Sequence, residues 1–120
     1  MAIDPALAKE DFCYVTTTGR VTGKRREIEI WFGNDGDTLY MLSGGRDSSD
    51  WVRNIRKTPG VRVRIGTQRF RGTGRIVTEK DEDALARRLV LEKYAPRYSG
   101  SLSDWGKNAL PVAIDLTPER

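Results

Sequence analysis

Polar and apolar residues alternate through Arg26-Glu27-Ile28-Glu29-Ile30-Trp31-Phe32. A period of two marks a strand with one wet face, because successive side chains leave a strand on opposite sides. Phe12 to Thr18 is rich in aromatic and β-branched residues and stops at Gly19, which predicts a strand running into a turn. Asn34-Asp35-Gly36-Asp37 tolerates positive φ and predicts a hairpin turn, after which Thr38 to Leu42 returns as a strand apolar enough to be covered on both faces. That strand ends at Ser43-Gly44-Gly45. Val61, Val63 and Ile65 alternate with Arg62 and Arg64, and Gly66-Thr67 turns the chain into a partner strand from Gln68 to Val77. Leu110 to Leu116 reads as a last strand, with Pro111 at its start, where a missing N–H costs least.

The helical period appears twice. Asp47 or Ser48 can cap a short helix whose apolar face carries Trp51, Val52 and Ile55, and Lys57-Thr58-Pro59-Gly60 ends it. Thr78-Glu79-Lys80-Asp81 has the form of a capping box, and Leu85, Leu89 and Val90 share one face of the helix that follows. It should stop near Tyr94-Ala95-Pro96, since proline disfavours helix for its predecessor. Ala6 to Lys9 make either a short helical turn or a loose arm, and Arg97 to Gly106 read as a loop. Six short strands, mostly antiparallel, with two helices predict an α+β protein that is mainly β, a small closed or partly closed barrel. Closure would remove edges that otherwise template aggregation.

Length and composition narrow the picture. At 120 residues the expectation is one domain over 1–120, with 1–11 as an N-terminal arm. Its apolar runs are too short to cross a bilayer, and the first residues show no secretory leader, so a cytoplasmic location and no transmembrane segment are expected. The single cysteine, Cys13, sits between Phe12 and Tyr14 and reads as a buried structural thiol. There is no histidine, which removes Ser-His-Asp and Cys-His catalysis and the usual zinc arrangements, so no metal site is expected. The net charge is +4, but residues 19–75 carry +7 and the remainder −3. A basic field of this kind favours an anionic partner without choosing among them.

The most informative stretch is Thr16-Thr17-Thr18-Gly19-Arg20-Val21-Thr22-Gly23-Lys24-Arg25-Arg26. Two glycines permit positive φ, consecutive N–H groups of such a turn can form an anion nest, and the Thr hydroxyls, Arg20, Lys24 and Arg26 add donors and charge. A phosphate-binding P-loop is excluded, because the glycine spacing differs and a strand follows instead of a helix. Ser43-Gly44-Gly45-Arg46 leads into a helix start, a second donor-rich loop, and a flat cofactor fits between the two loops. A solvated basic turn and a glycine-rich connector account for the same residues without a ligand.

The run Thr16-Thr17-Thr18-Gly19-Arg20, Thr22-Gly23, Arg26, Ser43-Gly44-Gly45, Trp51 with Asn54, and Pro59 with Val61 and Val63, in that order, resembles the deazaflavin-dependent nitroreductase family. This is the A-type branch of the F420-dependent split β-barrel oxidoreductases, and the resemblance covers residues 14 to 116. It implies an FMN-binding-like split barrel, coenzyme F420 as cofactor and hydride transfer to an enone, quinone or nitro compound. It implies that Arg20, Lys24 and Arg26 hold the coenzyme's phosphate and oligoglutamate tail, that Ser43, Gly44 and Gly45 lie beside its ring, and that Trp51 and Asn54 shape the site. With Thr18, Gly19, Thr22, Trp31 and Arg46 these form the expected cofactor-binding set; Trp31 stands where the family has a tyrosine or similar residue. Tyr98 roughly matches a family tyrosine that can donate a proton. Val21 departs from the family's lysine, and the segment from Gly45 to Trp51 is shorter than in nitro-reducing members. By analogy alone a homodimer is expected. Two other readings stay open: a split barrel that binds FMN, haem or a fatty acid, and a single-stranded nucleic-acid binder using Arg62, Arg64, Arg69 and Arg71 beside Phe70. Glu27 and Glu29 on a nearby strand offer those arginines a neutralising partner, and no nucleic acid is expected.

Overall fold

The computed structural model describes residues 3–117. Met1 and Ala2, the outermost part of the expected arm, and residues 118–120 lie outside the described residues. The alternation in sequence becomes alternation in burial. In β1 (Cys13–Thr18), Cys13, Val15 and Thr17 point into the core while Tyr14, Thr16 and Thr18 are half-exposed. β2 is Arg25–Ile30, β3 Gly33–Asp35, β4 Thr38–Ser43, β5 Gly60–Ile65, β6 Gln68–Ile76 and β7 Leu110–Thr117. They form one antiparallel sheet in the order β2-β1-β5-β6-β7-β4-β3. The sheet curls into an open half-barrel with β2 and β3 at its two edges, a mixed α+β architecture of the split-barrel kind.

Six strands were expected and seven are present among the described residues. The run predicted from Arg26 to Phe32 ends at Ile30, the partner of Cys13, and the chain crosses to the opposite edge of the sheet. Phe32 causes the break. Its ring is fully buried, its N–H donates to Tyr94 Oη at 3.1 Å, and its carbonyl accepts from Lys93 Nζ at 3.0 Å. A backbone satisfied by side chains of a distant helix has no need of a strand partner. Gly33–Asp35 then pairs with β4, and the turn tightens to Gly36-Asp37, with Gly36 at φ +58°.

The helices are α1 (Pro5–Ala8), α2 (Asp50–Lys57), α3 (Lys80–Tyr94) and α4 (Ser103–Asn108). The N-terminal segment is docked: Asp4 caps α1 by accepting from the Leu7 N–H, and Ile3, Leu7 and Ala8 pack on the main core. Glu79 caps α3, its carboxylate accepting from the Asp81 and Glu82 amides. α4 lies where a loop was expected; Arg87 Nη1 donates to Gly106 O at 2.8 Å, and a Cβ on Gly106 would lie 2.7 Å from Leu91. α2 packs on β1 and β6, with Val52 and Ile55 in the main core beside Val15, Val63 and Ile114. Ile55 reaches β6 because position 74 is glycine: a Cβ there would lie 2.7 Å from Ile55 Cγ2. Cys13 is a free buried thiol, pushed up to about 12 by burial.

α3 covers the other side of β4 and β7, where Tyr40, Val77, Ala86 and Ala113 form a second apolar cluster. A polar network closes its rim. Arg75 on β6 donates to both Glu82 oxygens at 2.6 and 2.7 Å and to Asp115 at 2.8 Å, Tyr40 Oη donates to Glu82 at 2.7 Å, and Thr38 Oγ1 to Asp115 at 3.0 Å.

Candidate functional site

The β1–β2 turn is closed by its own backbone. Gly19 N–H donates to Lys24 O at 2.7 Å, Gly23 N–H to Gly19 O at 2.9 Å, and Lys24 N–H to Thr22 Oγ1 at 3.2 Å. Gly23 takes φ +74°, which an L side chain resists. Gly19 is needed for a different reason, close approach: a Cβ would lie 3.0 Å from Lys24 O.

α2 locks this turn from the side. Asn54, 3% exposed, accepts from Arg20 N–H at 3.1 Å and from Arg20 Nη1 at 3.0 Å through the same Oδ1. Its Nδ2 donates to the buried Thr17 Oγ1 at 3.1 Å. Asp50 Oδ1 accepts from Arg20 Nη2 at 3.1 Å, and Lys57 Nζ donates to Arg20 O at 2.8 Å. The amides of Gly19, Arg20, Gly23 and Lys24 therefore all have internal acceptors, so the nest of consecutive free donors expected from the sequence is not formed at these positions. Recognition of an anion here falls to side chains, above all the guanidinium groups.

Between turn and helix opens a cavity of about 540 Å³, within the size range of small-molecule sites. It brings together Gly19, Arg20, Thr22, Arg26, Trp51 and Asn54 from the expected set, together with Thr17, Val21, Glu27, Ile28 and Asp50. Two of the added residues carried a sequence signal. Thr17 is a polar residue at the buried parity of β1, and Asp50 stands one helical turn before Asn54 on the same face. The cavity suits an elongated anionic ligand with a flat head: two guanidinium groups, threonine hydroxyls and an indole face one space.

The rest of the expected set lies elsewhere. Thr18 lines an adjoining recess of about 290 Å³ with Arg25, Gly60, Arg62 and Arg71. Lys24 is exposed on the turn. Ser43 is buried and donates to Arg46 O at 2.9 Å, with Ser49 Oγ also 2.9 Å away. A Cβ on Gly44 would touch Trp105 Nε1 at 3.4 Å, and one on Gly45 would strike Ser49 Oγ at 2.5 Å. Arg46 takes φ +54° and donates to Asn108 O. The Ser43–Arg46 loop thus packs toward α4 and meets the cavity through Ser49 and the first turn of α2. Trp31 stacks on Tyr94 at 4.4 Å and meets Tyr98 and Trp105 edge-on, at 6.0 and 5.7 Å. Tyr98, about half exposed, belongs to this aromatic group and does not line the cavity.

The arginines of β5 and β6 face one another across the strands, Arg62 opposite Arg71 and Arg64 opposite Arg69. Glu27 and Glu29 sit beyond β1, opposite Thr16 and Tyr14, and neither forms an ion pair with Arg62, Arg64 or Arg69 among the described residues. Phe70 is buried and the Tyr14 ring is covered by the Arg64 guanidinium at 4.1 Å.

Comparisons with known proteins complete the picture. No helix among the described residues is long and apolar enough to cross a membrane. A solved F420-H2 dependent reductase superposes with a TM-score of 0.68 at 23% identity, covering 89% of this chain and 94% of its own. A second solved chain, described as a domain-swapped dimer, gives 0.70 at 24%, with 89% and 80% covered. At these identities the likeness is one of fold. In sequence, the F420H(2)-dependent quinone reductase of Mycobacterium tuberculosis is 32% identical over 102 residues, spanning 82% of this chain and 68% of the relative. Residues 3–117, all that the structure describes, match the family described as F420H(2)-dependent quinone reductase, and the chain belongs to that family of oxidoreductases, whose cofactor is coenzyme F420.

Proposed function

We propose that this chain holds coenzyme F420 in the cavity between the β1–β2 turn and α2 and reduces a small organic acceptor, an enone, a quinone or a nitro compound. The observation that carries this reading is the convergence of Arg20 and Arg26 with Trp51 on one space of about 540 Å³. Arg20 and Arg26, with Lys24 at the rim, hold the negatively charged tail, and Trp51 offers the flat surface for the ring. Thr22 and Thr18 add hydroxyl donors along the turn. Ser43, Gly44, Gly45 and Arg46 act by fixing where α2 begins, and Trp31 by bracing the aromatic group behind that loop.

When bound, the reduced deazaflavin supplies a hydride from its ring carbon C5. The chain's own tasks are placement and exclusion of water, which need neither metal nor nucleophile. The accompanying proton comes from solvent or from Tyr98, whose exposure keeps it in exchange with water. We further propose that residues 1–120 form one coenzyme-binding domain, with 1–11 as its arm, and that it works in the cytoplasm as a homodimer, a state that light scattering on the purified protein tests.

Titration with F420 tests the site, with turnover of a soluble quinone as the second readout. Saturable binding at micromolar coenzyme is expected, and Arg20→Ala and Arg26→Ala should each weaken it about tenfold or more, the scale of a lost charge-assisted hydrogen bond. Absence of binding, or binding indifferent to both substitutions, overturns the assignment.

A further inference from the structure

Arg20 is held unusually well for a residue in a surface turn. One oxygen, Asn54 Oδ1, accepts from both its backbone N–H and its Nη1, while Lys57 fixes its carbonyl. Asn54 cannot rotate away without breaking its bond to the buried Thr17 hydroxyl. Asn54 is therefore a positioning residue, and the guanidinium is preorganised at the cavity wall before any ligand arrives.

Asp50 is bound in the opposite manner. Its side chain is 84% exposed against 29% for Arg20, and its bond to Nη2 at 3.1 Å is its only side-chain partner among the described residues. The lining holds two guanidinium groups, Arg20 and Arg26; the Glu27 side chain, next along β2 from Arg26 and paired with Thr16, leaves the strand on the opposite face, so Asp50 is the carboxylate that engages this pair. The Asp50 carboxylate thus occupies the arginine that the other contacts have been built to aim.

We infer that Asp50 is an internal competitor, its carboxylate holding the place on Arg20 that an anionic group of the bound ligand takes, so that binding exchanges one carboxylate–guanidinium contact for another and releases Asp50 to solvent. The inference rests on the cavity being the coenzyme site. An exposed ion pair of this kind is worth about a two- to fivefold change in affinity, and salt weakens it.

Calorimetric titration of wild type, Asp50→Asn and Asp50→Glu, at low salt and at high salt, tests this with two probes, F420 and inorganic pyrophosphate. Asp50→Asn should bind each probe about two- to fivefold more tightly at low salt, with the difference closing at high salt, and Asp50→Glu, which restores the charge, should return to wild-type affinity. A merely structural aspartate would not give that salt-dependent gain. Unchanged or weaker pyrophosphate binding by Asp50→Asn overturns the inference, the weaker case meaning that Asp50 orients Arg20. Should pyrophosphate bind more tightly to Asp50→Asn while F420 binds neither protein, the coenzyme reading falls and the competition stands. Should F420 bind wild type and Asp50→Asn alike, the coenzyme reading stands and the competition falls.

Discussion

Glu82 shows how a single carboxylate joins a helix to a sheet. The Arg75 guanidinium in bidentate contact holds its carboxyl down to about 2, against burial that opposes the shift. The same arginine holds Asp115 below its ordinary value, and burial with the Glu82 contact pushes Tyr40 up to about 12. A folded-state value below the unfolded one means stability present above the unfolded value and lost as pH falls through the folded one. Stability should therefore decline from about pH 4.5 toward pH 2, and Glu82→Gln should flatten that decline while costing about 1–2 kcal/mol at neutral pH, a figure reduced for the partial exposure of Arg75. Urea unfolding at several pH values measures both. None of this network was legible in the sequence, because Arg75, Glu82 and Asp115 are residues of ordinary surface type and no local period links a strand, a helix and a second strand forty residues on. Arg20, Arg26, Trp51 and Asn54 were legible, since residue type and order alone set them apart. The amide nest was not, because which N–H groups find internal acceptors depends on how the turn closes.

At the scale of elements, α2 is the part on which the site depends. Its position is set by Ile55 against Gly74, where an added methyl group would lie 2.7 Å from a β-branched side chain that has little freedom to move. Gly74→Ala should cost about 1–3 kcal/mol by overpacking, and by displacing α2 it should also weaken F420 binding although residue 74 does not line the cavity. Loss of stability with unchanged affinity would show that the helix absorbs the strain without moving. Strand positions were read well: β5 from period two, since half-burial writes itself directly into the sequence, β1 from its aromatic and β-branched residues, and β4 from an apolar run that is buried on both faces. The exit of the chain after Ile30 and the helix α4 were not, because Phe32 is satisfied by Tyr94 and Lys93, and α4 is fixed by Arg87 and Leu91. Those partners lie far along the chain and leave no local period.

For the whole molecule, coupling of binding to folding gives the broadest test. A ligand that binds only the folded state at a hundred times its Kd adds about 2.7 kcal/mol, which for a chain of this size raises the melting temperature on the order of 10 °C. F420 should produce such a shift in wild type and a smaller one in Arg20→Ala; equal shifts would place the coenzyme away from the turn. The sequence by itself determined the strands of alternating burial, the two long-period helices, the basic field over residues 19–75 and the absence of imidazole chemistry, because each follows from residue type and local spacing. Only the tertiary structure decided that the β1–β2 turn leans on α2, that Asp50 pairs with Arg20 at the cavity wall, and that the Ser43–Arg46 loop turns toward Trp105. The physical reason is range: strand and helix periods are set by neighbours a few residues apart, whereas Arg20 meets Asn54 and Asp50 only after a curled sheet has brought distant segments within a hydrogen bond's length.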